Sequence, residues 1–285
     1  MADVLILTGR GDPRWMWRPI VSALPQHRVC VADRMTHSSF PSLAREVAVI
    51  SRHVRRHDFD APIIVAHSVA AFAAEAYARL CPVSALILVN PECEFQVKLR
   101  PLLASGANRR VFAAVRGIGS FLDSSRAGFV IGPALWRGDV WRSARRRPST
   151  AVSAAASTAY RGGHAVVAVI AERLAQSEFA ADLGRLRRRT SPPEAPVCVL
   201  STSFRARPNQ VETDLILVHR QLARSFPRGR HHVVTRSKHM LHLDRPGVIV
   251  DAIAAFTPPD ITSAPVSQEA KTTRSRRTER ALRIL

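Results

Sequence analysis

The chain has 285 residues, of which 46% are hydrophobic and 22% charged, with a formal net charge of +20. That length can bury a large core and fits one α/β domain with an insertion, and no apolar run reaches the roughly 18 residues of a membrane span. The charge alone would suggest a nucleic-acid partner. However, 39 of the 42 basic residues are arginine, and they are scattered rather than interleaved with aromatics on a sheet face, so no specific nucleic-acid partner is expected.

Residues 4–7 open with a strand-like run that no basic, leader-like segment precedes, so the expected compartment is the cytoplasm. Further strand-like runs fall at residues 29–32, 62–65, 85–89, 197–200 and 232–234. Between them lie helical patterns, at residues 17–24 and again at 41–57, where Leu43, Val47, Ile50 and Val54 recur at helical spacing. Strands alternating with helices imply βαβ units and a parallel sheet, and nearly continuous apolar strands imply a sheet covered on both faces. The alternation stops after Val89 and resumes near Pro196. The intervening residues 96–190 read as helical and are expected to form a cap, leaving 1–95 and 191–257 as the core. Residues 258–285 mix Pro, Ser, Thr and Arg without an apolar face and read as a disordered basic tail. The four cysteines, Cys30, Cys81, Cys93 and Cys198, stand singly without metal-ligand or disulfide spacing. Buried free thiols are expected, and no metal or organic cofactor.

The third strand runs into Ala66-His67-Ser68-Val69-Ala70. A serine between small residues at a strand-to-helix turn suits a nucleophile elbow, where strand and helix nearly touch. The alanines that follow, from Ala71 to Ala78, allow that helix to lie close on the sheet. Short motifs occur by chance, and a buried strand with an incidental serine reads equally well from these five residues alone.

Other segments fall in a consistent order. Leu5 to Gly11 ends in Thr8-Gly9-Arg10-Gly11. Residues 31–39 contain Asp33, His37 and Ser38. Residues 237–246 read Ser-Lys-His-Met-Leu-His-Leu-Asp-Arg-Pro. With these in place the chain resembles the α/β-hydrolase superfamily, and looks most like its capped esterase, lactonase and haloperoxidase-like branch. The resemblance implies a doubly wound, mostly parallel six-stranded sheet with a helical cap insertion. It also implies a serine hydrolase that cleaves a small or medium apolar ester, thioester or lactone through an acyl-enzyme on Ser68. His239 would be the base, with the backbone N–H groups of Val69 and of Gly9 or Arg10 forming the oxyanion site. His242, His67 and His37 are expected to pack, cap or stay exposed, and His231 and His232 to belong to the last strand.

The acid is the difficulty, because Ser203 stands where the resemblance places an aspartate. Some family members supply the acid after the strand that follows the elbow helix. Here that loop reads Asn90-Pro91-Glu92-Cys93-Glu94, which makes Glu92 or Glu94 the expected acid, ahead of Asp214. Without a carboxylate the chain would be a slow hydrolase or a ligand- or partner-binding scaffold.

Overall fold

Val4 and Ile6 point to one side of the first strand and Leu5 and Leu7 to the other, and all four are buried. This two-sided burial is repeated across the sheet and divides the core into two apolar layers, one on each face. The computed structural model describes residues 1–32, 40–93, 105–205 and 207–257. His37, Glu94 and the tail at 258–285 lie outside the described residues.

Six parallel strands form one sheet in the order β2-β1-β3-β4-β5-β6. They are β1 (Asp3–Leu7), β2 (Arg28–Ala32), β3 (Ile63–His67), β4 (Ala85–Val89), β5 (Val197–Ser203) and β6 (Gly229–Thr235). From β1 the chain first winds out to β2, then returns to lay β3 on β1's other side. A doubly wound sheet opens a crevice at the carboxyl ends of the two strands flanking that reversal. The loops after β1 and β3 therefore face each other across it.

Six helices flank the sheet. α1 (Arg18–Ser22) and α10 (Pro246–Ala254) cover one face. α2 (Leu43–Arg56), α3 (Ala70–Leu80) and α8 (Gln210–Arg224) cover the other. The short α9 (Leu241–Asp244) precedes α10. The asparagine at the start of α8 closes a reciprocal capping box, with Asn209 Oδ1 accepting from Glu212 N–H at 2.9 Å and Glu212 from Asn209 N–H at 3.1 Å.

Between β4 and β5 lie four helices: α4 (Ser105–Ser124), α5 (Gly128–Ser143), α6 (Thr150–Ala159) and α7 (Gly163–Arg187). α4 and α7 touch backbone to backbone where Gly119 meets Gly163, and a Cβ on Gly163 would collide with the Gly119 carbonyl. α7 is tied to the elbow helix by a buried ion pair. Arg187 donates Nε–H to Glu75 Oε1 at 2.8 Å and Nη2–H to Oε2 at 2.7 Å, while Arg79 adds a bond to Oε1 at 2.9 Å. No described helix is long and apolar enough to cross a membrane.

Candidate active site

Ser68 is the first residue after β3, and its φ is +56°. That left-handed conformation is uncommon for a residue with a side chain, costs on the order of 1–3 kcal/mol, and persists only where the surroundings enforce it. Here they do. Ser68 N–H donates to Val89 O at 3.1 Å, and its carbonyl accepts from Ala71 N–H at 3.1 Å and Glu92 N–H at 3.0 Å. Ala66 and Ala70 are fully buried on either side of the turn, so larger side chains there would push strand and helix apart.

His239 lies in the loop after β6. That loop is pinned at several points. Ser237 N–H donates to Ser203 O at 3.0 Å, and Met240 N–H to Ser143 O at 2.8 Å. Asp244 gathers the remaining donors: Lys238 N–H at 2.8 Å, and Arg145 and Arg146 N–H at 2.7 and 2.8 Å at the end of α5. The result places His239 Nε2 3.0 Å from Ser68 Oγ, within reach for transfer of the serine proton. Burial, reinforced by the charge of His67, pushes the His239 imidazolium down to about 3, so the ring is neutral.

The other ring nitrogen settles which group orients His239. Its Nδ1 faces the side-chain amide of Asn90, with Nδ2 at 2.6 Å, rather than a carboxylate. Asn90 is the first residue after β4, and it too has a positive φ, +43°. Its N–H donates to Leu200 O at 2.7 Å, and its Oδ1 accepts from Thr202 N–H at 3.4 Å. Glu92, expected to face His239, instead pairs with Arg10, its Oε1 3.6 Å from Nη2. Burial raises the Glu92 carboxyl above its ordinary value, against the pull of Arg10 and Arg173. The loop is the expected one, but the residue that meets the ring is two positions earlier. The first residue beyond the strand still follows the sheet's direction, whereas Glu92 has already turned toward the β1 loop. Asp214 is exposed on α8 and accepts from Gln210 Nε2–H at 2.8 Å. Ser203 donates its hydroxyl to Arg205 O at 2.8 Å.

A second buried pair lies beneath this one and was not singled out from the sequence. His67 Nδ1 is 2.5 Å from Asp12 Oδ2, and His67 Nε2 is 3.2 Å from the His239 carbonyl. Both partners are acceptors only, so the His67 ring carries both protons. Burial works against that charge, but the Asp12 carboxylate outweighs it and holds the imidazolium above its ordinary value. Burial would likewise raise Asp12, yet His67 and then His242 hold its carboxyl well below the carboxylate range. Asp12 also accepts Gly9 N–H at 3.2 Å. The pair thus braces the β1 loop, the elbow strand and the backbone of the base together. A Cβ on Gly9 would run into the His67 ring and Asp12. The signal available in the sequence was an acid directly after Gly9-Arg10-Gly11. His242 stacks on Trp17 with centroids 4.5 Å apart and neither ring nitrogen hydrogen-bonded, a packing role.

Gly9 and Arg10 were alternative oxyanion donors. With Gly9 N–H committed to Asp12, the N–H groups of Val69 and Arg10 remain as candidates, neither donating to a protein acceptor among the described residues. They follow β3 and β1, whose ends are paired through Leu7 and Ala66. His231 and His219 also contribute out of view of the crevice. His231 donates to Ser201 Oγ at 2.6 Å, Ser201 donates to His219 Nδ1 at 2.8 Å, and His219 donates to Pro91 O at 2.7 Å. This chain fixes the residue next to Asn90.

A strained serine on a strand-to-helix turn, an imidazole on its hydroxyl and two free N–H groups beside it form the equipment of acyl transfer. Consistent with the fold and this site, residues 4–252 match the model of the alpha/beta hydrolase family, and the chain belongs to that family. Solved structures with the same fold include MenH from S. aureus, at 12% identity over 90% of this chain and 92% of that one, with a TM-score of 0.60. A carboxylesterase structure from the ammonia-oxidizing thaumarchaeon Nitrososphaera gargenis is 15% identical over 90% of this chain and 89% of its own, with a TM-score of 0.59. A putative lipase from Acinetobacter baumannii is 14% identical over 90% and 83%, with a TM-score of 0.61. A search among curated proteins finds no match.

Proposed function

We propose that the protein is a serine hydrolase that cleaves a small or medium apolar ester, thioester or lactone. The observation that carries this reading is the 3.0 Å approach of His239 Nε2 to Ser68 Oγ at a serine held at φ +56°. Ser68 attacks the carbonyl while His239 takes its proton. The oxyanion that forms is held by Val69 and Arg10 N–H. His239 then returns the proton to the leaving group, and a water activated by the same ring releases the acyl group.

Asn90 governs the rate. With Nδ2 toward His239, the amide donates to Nδ1, leaving the ring proton on Nε2, where it points at Ser68 instead of accepting from it. A half-turn of the amide presents Oδ1, which accepts Nδ1–H and frees Nε2. That turn gives up the 3.4 Å bond from Thr202 and sets the amide N–H against Thr202 N–H, two donors facing each other, so it is costly. Turnover proceeds through the second orientation and is slow. The test is labelling by a fluorophosphonate probe. Folded wild-type protein labels and Ser68→Ala does not; absence of labelling, or equal labelling of both, overturns the reading.

One observation favours a second reading, a binding scaffold without turnover: the neutral amide where a carboxylate would hold the base. It predicts an unlabelled Ser68 in a folded protein that still binds apolar acyl compounds.

A further inference from the structure

The carboxyl end of α2 lies against edge strand β2, and there a thiol meets two imidazoles. His53 and His57 are one helical turn apart, and their rings are near parallel, 4° between planes. Cys30, in the middle of β2, is 8% exposed. Its Sγ is 3.7 Å from His53 Nδ1 and 3.2 Å from His57 Nε2. All three donor atoms lie within 4.8 Å of one another. We propose that Cys30, His53 and His57 form a binding site for a borderline-soft divalent cation, Zn²⁺ above all.

The distances carry the proposal. In a tetrahedral centre with Zn–S of about 2.3 Å and Zn–N of about 2.0–2.1 Å, sulfur and nitrogen stand about 3.6 Å apart. The two observed sulfur–nitrogen separations bracket that value, and the third separation lies within 4.8 Å, so the ligands need only draw in around the ion. A thiolate with two imidazoles is also the donor set that selects zinc over magnesium or calcium.

The surroundings hold the ligands in place. Arg28, at the start of β2, donates to Asp3 Oδ1 at 2.7 Å and to Asp58 O at 3.1 Å, which locks the turn after α2 onto the sheet. Asp58 has φ +50° and reverses the chain there. Phe59 then packs beside the His57 ring, centroids 5.5 Å apart. His57 is exposed, so the fourth position opens to solvent and takes water. On binding, the thiol proton leaves to solvent as the S–Zn bond forms, and both imidazoles bind neutral, so affinity rises with pH. Burial raises the Cys30 thiol above its ordinary value, against the pull of Arg56, and the Arg56 charge also repels the ion, which moderates affinity. The bound ion would clip α2 to the sheet edge and shares no residue with the Ser68 site. Linear spacing conceals this cluster because the cysteine and the histidines belong to different elements.

The experiment uses the full chain, reduced and stripped with a chelator, titrated with Co²⁺ and then Zn²⁺. One equivalent of Co²⁺ should produce a thiolate-to-cobalt charge-transfer band with tetrahedral visible bands, both abolished by Zn²⁺. Cys30→Ser should lose the charge-transfer band. His57→Gln, at an exposed position, should weaken Zn²⁺ binding by at least about 10-fold, the minimum expected even for a supporting group. Zn²⁺ should raise the Tm of wild type by more than that of His57→Gln. A folded wild type without the band, or a band that survives Cys30→Ser, overturns the proposal. If Cys30→Ser does not fold, unchanged Zn²⁺ affinity in His57→Gln overturns it instead.

Discussion

Asn90 Nδ2 stands 2.6 Å from His239 Nδ1 across 149 residues of chain. The contact fills the place where a serine hydrolase keeps its carboxylate. An amide can hold the ring in position but cannot stabilise the imidazolium that forms when Ser68 gives up its proton.

Asn90→Asp should therefore accelerate turnover. In serine proteases the reverse change costs about 10⁴-fold, so kcat for a chromogenic ester should rise by about 10³–10⁴-fold with little change in KM. Aspartate tolerates positive φ nearly as well as asparagine, and Thr202 N–H remains available to it. Unchanged kcat in a folded variant would show that Asn90 does not orient the base.

The same substitution should alter the pH profile. Burial and the His67 charge put the His239 imidazolium at about 3, so wild-type activity should be nearly flat from pH 5 to 8. A carboxylate at position 90 favours the charged ring and raises its pKa. An acidic limb should then enter the pH–kcat/KM curve of Asn90→Asp. A limb near pH 6 in wild type would contradict the assignment.

Stability should fall on the acid side of neutrality. Burial lowers His219 and His242 to about 4 and His239 to about 3, against about 6.5 in an unfolded chain. Below that value the unfolded state binds the additional protons. Each ring then costs about 1.4 kcal/mol per pH unit until its folded pKa is reached. His67 acts in the opposite sense. Its folded pKa is raised, so its contribution is full below about 6.5 and is lost as pH rises through the folded value. Three rings outweigh one, and urea midpoints should drop between pH 6 and pH 4. A midpoint constant over that interval would contradict the burial of these rings as neutral groups.

Glu75→Ala should be strongly destabilising. It strands Arg79 and Arg187 beside a buried position, and breaking a buried pair in this way costs about 3–5 kcal/mol. Replacing Arg187 by Met, which keeps the stem and leaves Arg79 to pair with Glu75, should cost less. Equilibrium denaturation of the two variants gives the comparison.

Gly9→Ala tests the brace under the base. Its Cβ has no room beside His67 and Asp12, so overpacking of about 1–3 kcal/mol is expected. Because His67 holds the His239 backbone, fluorophosphonate labelling should slow as well. Wild-type stability and labelling would mean that the β1 loop yields without disturbing the base.

The sequence by itself determined the sheet, and it pointed to the turn at Ser68 and to His239. The continuous apolar run from Val4 to Leu7, small residues around Ser68 and a histidine after the last strand are local constraints, each legible within a few positions. The partner of His239 was not of that kind. It depends on how the carboxyl ends of β3, β4 and β5 line up, with His67 opposite Val89 and Val89 opposite Leu200. That register makes Asn90 the neighbour of the ring, while Glu92, a better acid by type, turns toward Arg10. Asp12 with His67, and Cys30 with His53 and His57, are likewise pairings between separate elements. Periodicity specifies which residues enter the core; only packing decides which of them meet there.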